Sequence, residues 1–211
     1  IIIERDLTLL EDLNCRYHVS QISSSKSVDI IGQKKDLVNF TTGVSINNLS
    51  LNENDIGDFR TFLKLSPPLR TEDDRISLIK GINKNLIDVI VSDHKPEDEE
   101  SKRLTFSQAA TGASGVETLL PLSLELFHNG SVKLFKLIEL LTSNPAKILK
   151  IDKGNLSTGN DADFCIVDIY KPWIVKKEKI VSKSKNTCID DKKLQGQVTN
   201  TFVKGEELFK I

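Results

Sequence analysis

Hydrophobic and polar positions follow two different periods along the first 150 residues. Runs rich in β-branched residues predict strands at 16–23, 38–46 and 87–91, and apolar residues at helical spacing predict helices at 6–13, 26–35, 71–82, 116–127 and 132–141. Asn47 and Asn48 are expected in the loop after the second strand. Alternating strands and helices imply an α/β fold with a parallel sheet, in which the carboxyl ends of the strands and the loops beyond them form the site.

The pattern changes after residue 149, where glycines separate short β-rich runs at 164–169, 173–175 and 198–203. Short strands divided by turn residues are typical of a small β module. We therefore expect two domains, a β/α unit over residues 1–150 and a β module over residues 151–211.

Composition excludes several classes of protein. Apolar residues make up 38% of the chain and charged residues 28%, which supports a packed core and argues against disorder. The net charge of −1 gives no reason to expect nucleic acid or an anionic membrane as a partner, and no apolar run reaches the ~18–20 residues of a membrane span. The three cysteines show no CxxC spacing, which argues against a disulfide framework and favours a reducing cytoplasm. Since the chain has no methionine, even at position 1, we interpret it as the back part of a longer protein.

The richest group of chemically active side chains follows the predicted strand at 87–91. Asp93 comes directly after this strand, with Glu97 and further acids behind it. A carboxylate at the end of a buried strand can bind a metal, or take a proton and return it to a leaving group. A solvated acidic loop is the alternative interpretation of the same residues. His18 and Gln21 share the first predicted strand, and they lie on opposite faces of it if the strand is regular.

Seven short motifs, taken in order, resemble the dihydroorotases of the cyclic amidohydrolase superfamily. Residues 16–23 are similar to the family's fifth-strand motif, and residues 87–96 resemble its eighth-strand Asp-His-Ala-Pro motif. The other motifs lie at 64–70, which includes Pro-Pro-Leu-Arg, and at 115–118, 142–146, 159–163 and 182–187. The resemblance covers essentially the whole chain. It implies the C-terminal half of an amidohydrolase (β/α)8 TIM-like barrel over residues 1–150, followed at 151–211 by the C-terminal strands of a composite β-sandwich module.

The resemblance implies a zinc enzyme that reversibly cyclises N-carbamoyl-L-aspartate to dihydroorotate in pyrimidine (UMP) biosynthesis. Allantoinases and hydantoinases are close alternatives among the cyclic amidases. Asp93 matches the aspartate that carries a proton to the amide nitrogen and also ligates a metal, with one or two zinc ions in the complete protein. Ser66, Glu97 and Gly112 match positions at which the family contacts its small-molecule substrate. The resemblance also implies a cytoplasmic protein that forms a homodimer or a complex with aspartate transcarbamoylase.

Several residues depart from the family's pattern. Gln21 stands where the family has a ligand histidine, and Asn47 and Asn48 stand in the place of its Pro-His-His histidines. Ser66 replaces an asparagine, and Glu97 replaces a histidine. Because an amide is a poorer zinc ligand than an imidazole, one metal position would be weakened or lost. The alternative function is therefore a non-catalytic dihydroorotase-like subunit that scaffolds aspartate transcarbamoylase. We expect these 211 residues to be inactive when isolated.

Overall fold

A computed structural model describes residues 1–13 and 15–211 of the chain. The chain divides into two compact units by its internal contacts. The first contains Ile1–Val116 together with Ser182–Cys188, and the second contains Glu117–Val181 together with Ile189–Ile211. The domain boundary expected near residue 150 rests on a change of sequence pattern rather than on packing, and it stays a prediction.

The first unit contains a parallel sheet of three strands, hydrogen-bonded in the order β1 (Tyr17–Ile22), β2 (Phe40–Ser45) and β3 (Val89–Val91). Its helices are α1 (Ile2–Leu10), α2 (Ser25–Lys34), α3 (Ile46–Ser50), α4 (Glu72–Asn83) and α5 (Glu99–Lys102). Two short 3-10 turns, Glu53–Ile56 and Thr61–Leu63, lie between α3 and α4. The strands and helices expected between residues 6 and 91 are therefore present, in an alternating α/β order.

Burial and helix capping explain why these segments fold as they do. β2 is buried along nearly its whole length, so its apolar and small residues need no alternation with polar ones. Ser24 caps α2 by accepting a hydrogen bond from the N–H of Ser27, and Thr71 caps α4 by accepting one from Asp74. The two helices then pack against each other through buried aliphatic residues.

Two local expectations in the first unit are wrong. Asn47 and Asn48 belong to the short helix α3 rather than to a loop, because Ser45 caps this helix and the tertiary packing buries both side chains. α1 ends at Leu10, which is buried, and the exposed Leu13 lies beyond it. The short helix α5 was not predicted, because it is only four residues long and three of them are charged, so it shows no apolar periodicity.

The second unit combines helices with an antiparallel sheet. Its helices are α6 (Leu119–His128), α7 (Leu134–Leu141) and α8 (Ser143–Leu149). Its strands are β4 (Phe164–Ile174), β5 (Lys193–Val203) and β6 (Glu206–Lys210), paired in that order, with a 3-10 turn at Lys177–Lys179. Within the described residues, every helix is too short or too polar to cross a membrane.

The strands of the second unit also differ from expectation. The runs at 164–169 and 173–175 form one strand, β4, whose pairing with β5 is irregular between Asp168 and Pro172. Asp168 Oδ1 accepts the N–H groups of Tyr170 and Lys171 at 3.0 and 3.1 Å, and such a bulge accommodates a proline that has no N–H to donate. β6 was not predicted, because all its residues are exposed and show no apolar alternation.

Candidate active site

The carboxyl ends of the three parallel strands bring Gln21 and Asp93 together. Gln21 is the last residue but one of β1, and Asp93 lies two residues beyond the end of β3. Gln21 Nε2 donates a hydrogen bond to Asp93 Oδ1 over a distance of 3.0 Å. Because β2 lies between β1 and β3, this bond reaches across the carboxyl end of β2. The structure therefore places the Asp93 carboxylate at the edge of the sheet where α/β proteins of this kind carry their sites.

The environment of Asp93 changes its acidity. The residue is half-buried, and burial raises the pKa of its carboxyl group above the usual value. The hydrogen bond from Gln21 and the positive charge of Lys95 act in the opposite direction, but burial has the larger effect. The protonated form of Asp93 is therefore more accessible than that of an aspartate in water, which suits a group that exchanges protons with a substrate.

Gly112 lies against the backbone that follows Asp93. Its φ angle is +140°, and a Cβ at this position would lie 2.5 Å from Lys95 O, so only glycine fits without strain. The Gly112 N–H donates to Lys64 O at 3.0 Å. Its carbonyl accepts hydrogen bonds from Lys102 Nζ at 2.9 Å and from Asn186 Nδ2 at 3.2 Å. Both backbone polar groups of Gly112 are thus engaged within the chain.

The segments that carry Ser66 and Glu97 are tied into the same neighbourhood. Ser66 is exposed, the peptide bond that follows it is cis, and Asn48 Nδ2 donates to Pro68 O at 3.0 Å nearby. Glu97 is half-buried, and its N–H donates to Asn186 Oδ1 at 3.4 Å. Asn186 also contacts the loop at residues 110–112 (the Gly112 turn), so it links Glu97 to Gly112, and the Gly112 N–H links this loop to Lys64, two residues before Ser66.

The histidines near this edge have other partners. The pairing of β1 with β2 is irregular between Val19 and Ile22, so regular alternation does not describe this strand. His18 Nδ1 lies 2.7 Å from Thr41 Oγ1, near the start of the strand, and burial lowers the pKa of His18. His94 Nδ1 accepts a hydrogen bond from the N–H of Gly115 at 3.1 Å. Neither histidine shares the contact between Gln21 and Asp93.

The donor set of the described residues does not fit a zinc ion. Among residues 1–13 and 15–211, no three His, Cys, Asp or Glu side chains are grouped closely enough to hold a metal. Asp93 supplies one carboxylate, while Gln21, Asn47 and Asn48 supply only amides. Asn48 Oδ1 is buried and has no hydrogen-bond partner in the described chain, so it is a second available oxygen. Zinc sites in proteins need several ligands and prefer imidazole and thiolate, so the described residues cannot form one alone.

Two buried residues that contact the backbone of Gly112, Lys102 and Asn186, were not predicted from the sequence as part of the site. Lys102 was not identified from the sequence, and it is buried and contacts the Gly112 turn. Asn186 lies far along the chain and is 3% exposed, and it bonds to both Gly112 and Glu97. The signal that could have identified Asn186 is the motif at 182–187, which resembles a family segment although its role was not assigned.

Sequence comparison identifies relatives over the whole chain. The amidohydrolase family matches residues 4–208. The dihydroorotase of Ehrlichia canis (strain Jake) is 39% identical over 211 residues, which is 99% of this chain and 47% of that protein. The dihydroorotase of Thermoanaerobacter sp. (strain X514) is 35% identical over 212 residues, which is 100% of this chain and 49% of that protein. The chain therefore spans about half the length of the curated relatives it matches, and it matches their C-terminal part.

Solved structures give the same result for the fold. The L-hydantoinase (dihydropyrimidinase) from Arthrobacter aurescens matches with a TM-score of 0.93 and 28% identity, over 99% of this chain and 48% of that one. The dihydropyrimidinase from Brevibacillus agri matches with a TM-score of 0.91 and 19% identity, over 99% of this chain and 48% of that one. At this low identity, the match is evidence for a shared fold and not for a shared function. These matches confirm the predicted fold class. The chain has an α/β fold that matches the C-terminal half of amidohydrolase structures, together with a separate small antiparallel sheet.

Proposed function

The chain belongs to the amidohydrolase family, and on this premise we propose that the protein is a dihydroorotase-like cyclic amidohydrolase. The dihydroorotases that match in sequence and the L-hydantoinase that shares the fold support a hydrolase of cyclic amides. The finer proposal is the reversible cyclisation of N-carbamoyl-L-aspartate to dihydroorotate. Because the chain spans about half of these relatives, the activity is proposed for the full-length gene product.

The observation that carries this proposal is the position of the Asp93 carboxyl group, held by Gln21 at the carboxyl edge of the sheet. Hydrolysis of a cyclic amide adds a water oxygen to the carbonyl carbon, breaks the C–N bond and moves one proton from the water to the amide nitrogen. We assign the transfer of this proton to Asp93. Since burial raises the pKa of its carboxyl group, Asp93 is suited to accept the proton and to donate it again. Cyclisation follows the same steps in reverse.

Ser66, Glu97 and Gly112 are the proposed substrate contacts. The exposed hydroxyl of Ser66 can donate a hydrogen bond to a substrate carboxylate. The Glu97 carboxylate only accepts hydrogen bonds when ionised, so it suits the N–H groups of the ureido or ring amide rather than the acid groups. The backbone N–H and carbonyl of Gly112 already have partners, and one of its Cα hydrogens faces Lys95, so its proposed contact is made through the other Cα hydrogen.

Zinc is proposed as the metal of the full-length protein, as one or two ions, with Asp93 as the ligand from this chain. A zinc ion held there would supply a water of lowered pKa and would polarise the amide carbonyl group of the substrate. The remaining ligands would come from outside the described residues, because these hold no group of three suitable side chains. For the same reason, and because β1 and β3 are open edges of the sheet, we propose that residues 1–211 alone are inactive.

The setting of the activity is part of the same proposal. Dihydroorotate formation places the protein in pyrimidine (UMP) synthesis, and a cytoplasmic location is consistent with three cysteines that lack disulfide spacing. A homodimer, or a complex with aspartate transcarbamoylase, is the proposed assembly. Size measurement of the purified full-length protein, alone and mixed with aspartate transcarbamoylase, distinguishes these two states.

The decisive experiment measures dihydroorotate hydrolysis and carbamoyl-aspartate cyclisation by the full-length gene product. Asp93→Asn keeps the size of the side chain but prevents proton transfer, so kcat is expected to fall by at least ~10²-fold. Asp36→Asn, at an exposed aspartate of a turn, is the matched control and should retain full activity. Undiminished activity of Asp93→Asn would remove Asp93 from the mechanism, and a wild-type protein without turnover would reject the proposed function.

A second candidate function is a non-catalytic dihydroorotase-like subunit that scaffolds aspartate transcarbamoylase. The side chains of Gln21, Asn47 and Asn48 favour it, because they place amides at the ends of β1 and β2 where the resemblance places imidazoles. Stable association with aspartate transcarbamoylase, without bound metal or turnover, would support the scaffold. Stoichiometric zinc together with turnover would reject it.

A further inference from the structure

Lys102 is a buried cation that contacts the backbone of Gly112, one of the residues of the candidate site. Only 1% of this residue is exposed, although it ends α5, whose first two residues are exposed glutamates. Its Nζ donates to Ala110 O at 2.8 Å and to Gly112 O at 2.9 Å. No carboxylate lies within ion-pairing distance of this Nζ in the described part of the chain. Burying an ammonium group is costly, so the carbonyls of the Ala110–Gly112 turn must provide most of its stabilisation.

Asn186 holds the same turn from another segment. Its Nδ2 donates to Gly112 O at 3.2 Å, while its Oδ1 accepts the N–H of Glu97 and the hydroxyl of Ser114, both at 3.4 Å. The carbonyl of Asn186 in turn accepts the N–H of Ser114 at 3.0 Å. A carbonyl oxygen has two lone pairs, and Lys102 and Asn186 occupy both on Gly112. The Gly112 turn is therefore fixed from two sides.

The segment fixed in this way lies against the backbone that carries the carboxylate of the proposed site. The N–H of Lys95 donates to Ala113 O at 2.9 Å. A Cβ at Gly112 would lie 2.5 Å from Lys95 O, and a Cβ at Gly115 would lie 2.5 Å from Ser92 O. Glycines thus bring residues 112–115 into direct backbone contact with residues 92–95 at both ends of the segment, and Asp93 lies between Ser92 and Lys95 in the sequence.

We propose that Lys102 and Asn186 are positioning residues, which hold the Gly112 turn and thereby set the backbone of residues 92–95 and the direction of the Asp93 carboxyl group. Asp93 has a φ angle of +49°, in the left-handed region that few non-glycine residues adopt, although aspartate does so more readily than most. In this proposal the backbone contacts from residues 112–115 hold residues 92–95, and with them Asp93, in this conformation. The structural part of this inference stands by itself, whereas its kinetic consequence rests on the proposed function.

The structural part is tested by amide hydrogen exchange in the full-length gene product. Lys102→Met keeps the length of the side chain but removes its charge and its hydrogen bonds. We expect exchange at the amides of Lys95 and Gly115 to become faster by about tenfold or more, because both amides bond across the two segments. Lys84→Met, at an exposed lysine after α4, is the control and should leave both amides unchanged.

Asn186→Ala provides a second variant if Lys102→Met does not fold, and it should accelerate exchange at the same two amides. Exchange that stays at the wild-type rate at both amides in the folded variant would overturn the proposal. This result does not depend on turnover, so it separates failure of the positioning role from failure of the proposed function.

The kinetic part is tested by a double-mutant cycle with Asp93→Asn. In the wild-type background, Lys102→Met is expected to lower kcat by roughly 10- to 100-fold with little change in KM, because the carboxyl group loses its alignment. In the Asp93→Asn background the same substitution should cost nothing further. An equal loss in both backgrounds would show that Lys102 acts on the fold as a whole, and would overturn its role through Asp93.

Discussion

The side chains of Gln21 and Asp93 are joined by a hydrogen bond of 3.0 Å between Nε2 and Oδ1, which connects the end of β1 to the loop after β3. The family resemblance places an imidazole ligand at position 21. The contact therefore marks a position from which a metal ligand would face the candidate site, and it defines a direct test of the zinc proposal.

Replacing Gln21 with histidine is expected to raise the zinc affinity of the full-length protein on the order of tenfold, because imidazole is a better zinc ligand than an amide. Elemental analysis after dialysis against a weak chelator measures the zinc that is retained. Ser20→His, at the exposed neighbouring residue, is the control and should retain no more zinc than wild type. If both variants retain the same amount, position 21 does not face a metal.

The Gly112→Ala variant is expected to lose ~2 kcal/mol or more of unfolding free energy in urea denaturation. The reason is twofold: its φ of +140° disfavours alanine, and the added Cβ would overlap the backbone of Lys95. Gly130→Ala is the matched control, because Gly130 has a φ of +74° but no atom within 4 Å of the added Cβ. It should lose only about 1 kcal/mol. Equal losses would show that close contact with Lys95 is unimportant.

Thiol labelling should separate the three cysteines. Cys188 is buried, its Sγ–H donates to Phe62 O at 3.1 Å, and burial raises its pKa to about 12. Because the thiolate is the reactive form, Cys188 should resist iodoacetamide at mildly alkaline pH, while the exposed Cys15 and Cys165 react. Mass spectrometry of digests, with and without urea, measures the labelling of each residue. Rapid labelling of Cys188 in the folded protein would contradict its burial.

The ion pair of Glu72 with Arg75 should make stability depend on pH in the acid range. Hydrogen bonds from Arg75 and Asn52 lower the pKa of Glu72 from its usual value of 4.5 to about 2. Since the folded state has the lower pKa, the stabilisation is complete above pH 4.5 and is lost as the pH falls towards 2. The carboxylate is partly exposed, so the contribution stays below ~1 kcal/mol.

Urea denaturation of wild type and Glu72→Gln at several pH values measures this contribution. The difference in unfolding free energy between the two proteins should shrink steadily below pH 4.5. A difference that does not change with pH would mean that the ion pair contributes nothing to stability.

Much of the first unit could be predicted from the sequence, because local signals and tertiary packing agree there. The β-branched run before Asp93 forms β3, and the helix predicted at 71–82 forms α4, which the hydroxyl of Thr71 caps. The position of Asp93 at the carboxyl edge follows directly from the order of strand and loop. Local patterns of this kind are decided within a few residues, so they can be recognised without knowledge of the whole fold.

The contacts around the candidate site could not be predicted in the same way. Gln21, which bonds to Asp93, lies where the pairing of β1 with β2 is irregular. The sequence of β1 shows no pattern from which this irregularity could be predicted. Lys102 lies in a charged segment whose sequence gives no sign of burial, and its ammonium group is bound by carbonyls that lie eight and ten residues further along the chain. Asn47 was predicted in a loop because asparagine is common in loops, although it lies in the helix α3 and is buried. Packing between distant segments overrides local preference at these positions.

Residues 182–188 belong to the first unit although they are synthesised after most of the second. A nascent chain that has released residues 1–116 from the ribosome still lacks Asn186, so the Gly112 carbonyl and the Glu97 amide have no partner from that segment. The first unit is therefore complete only when residue 188 has been synthesised, and a translation product that stops before this segment lacks the Asn186 contacts to Gly112 and Glu97.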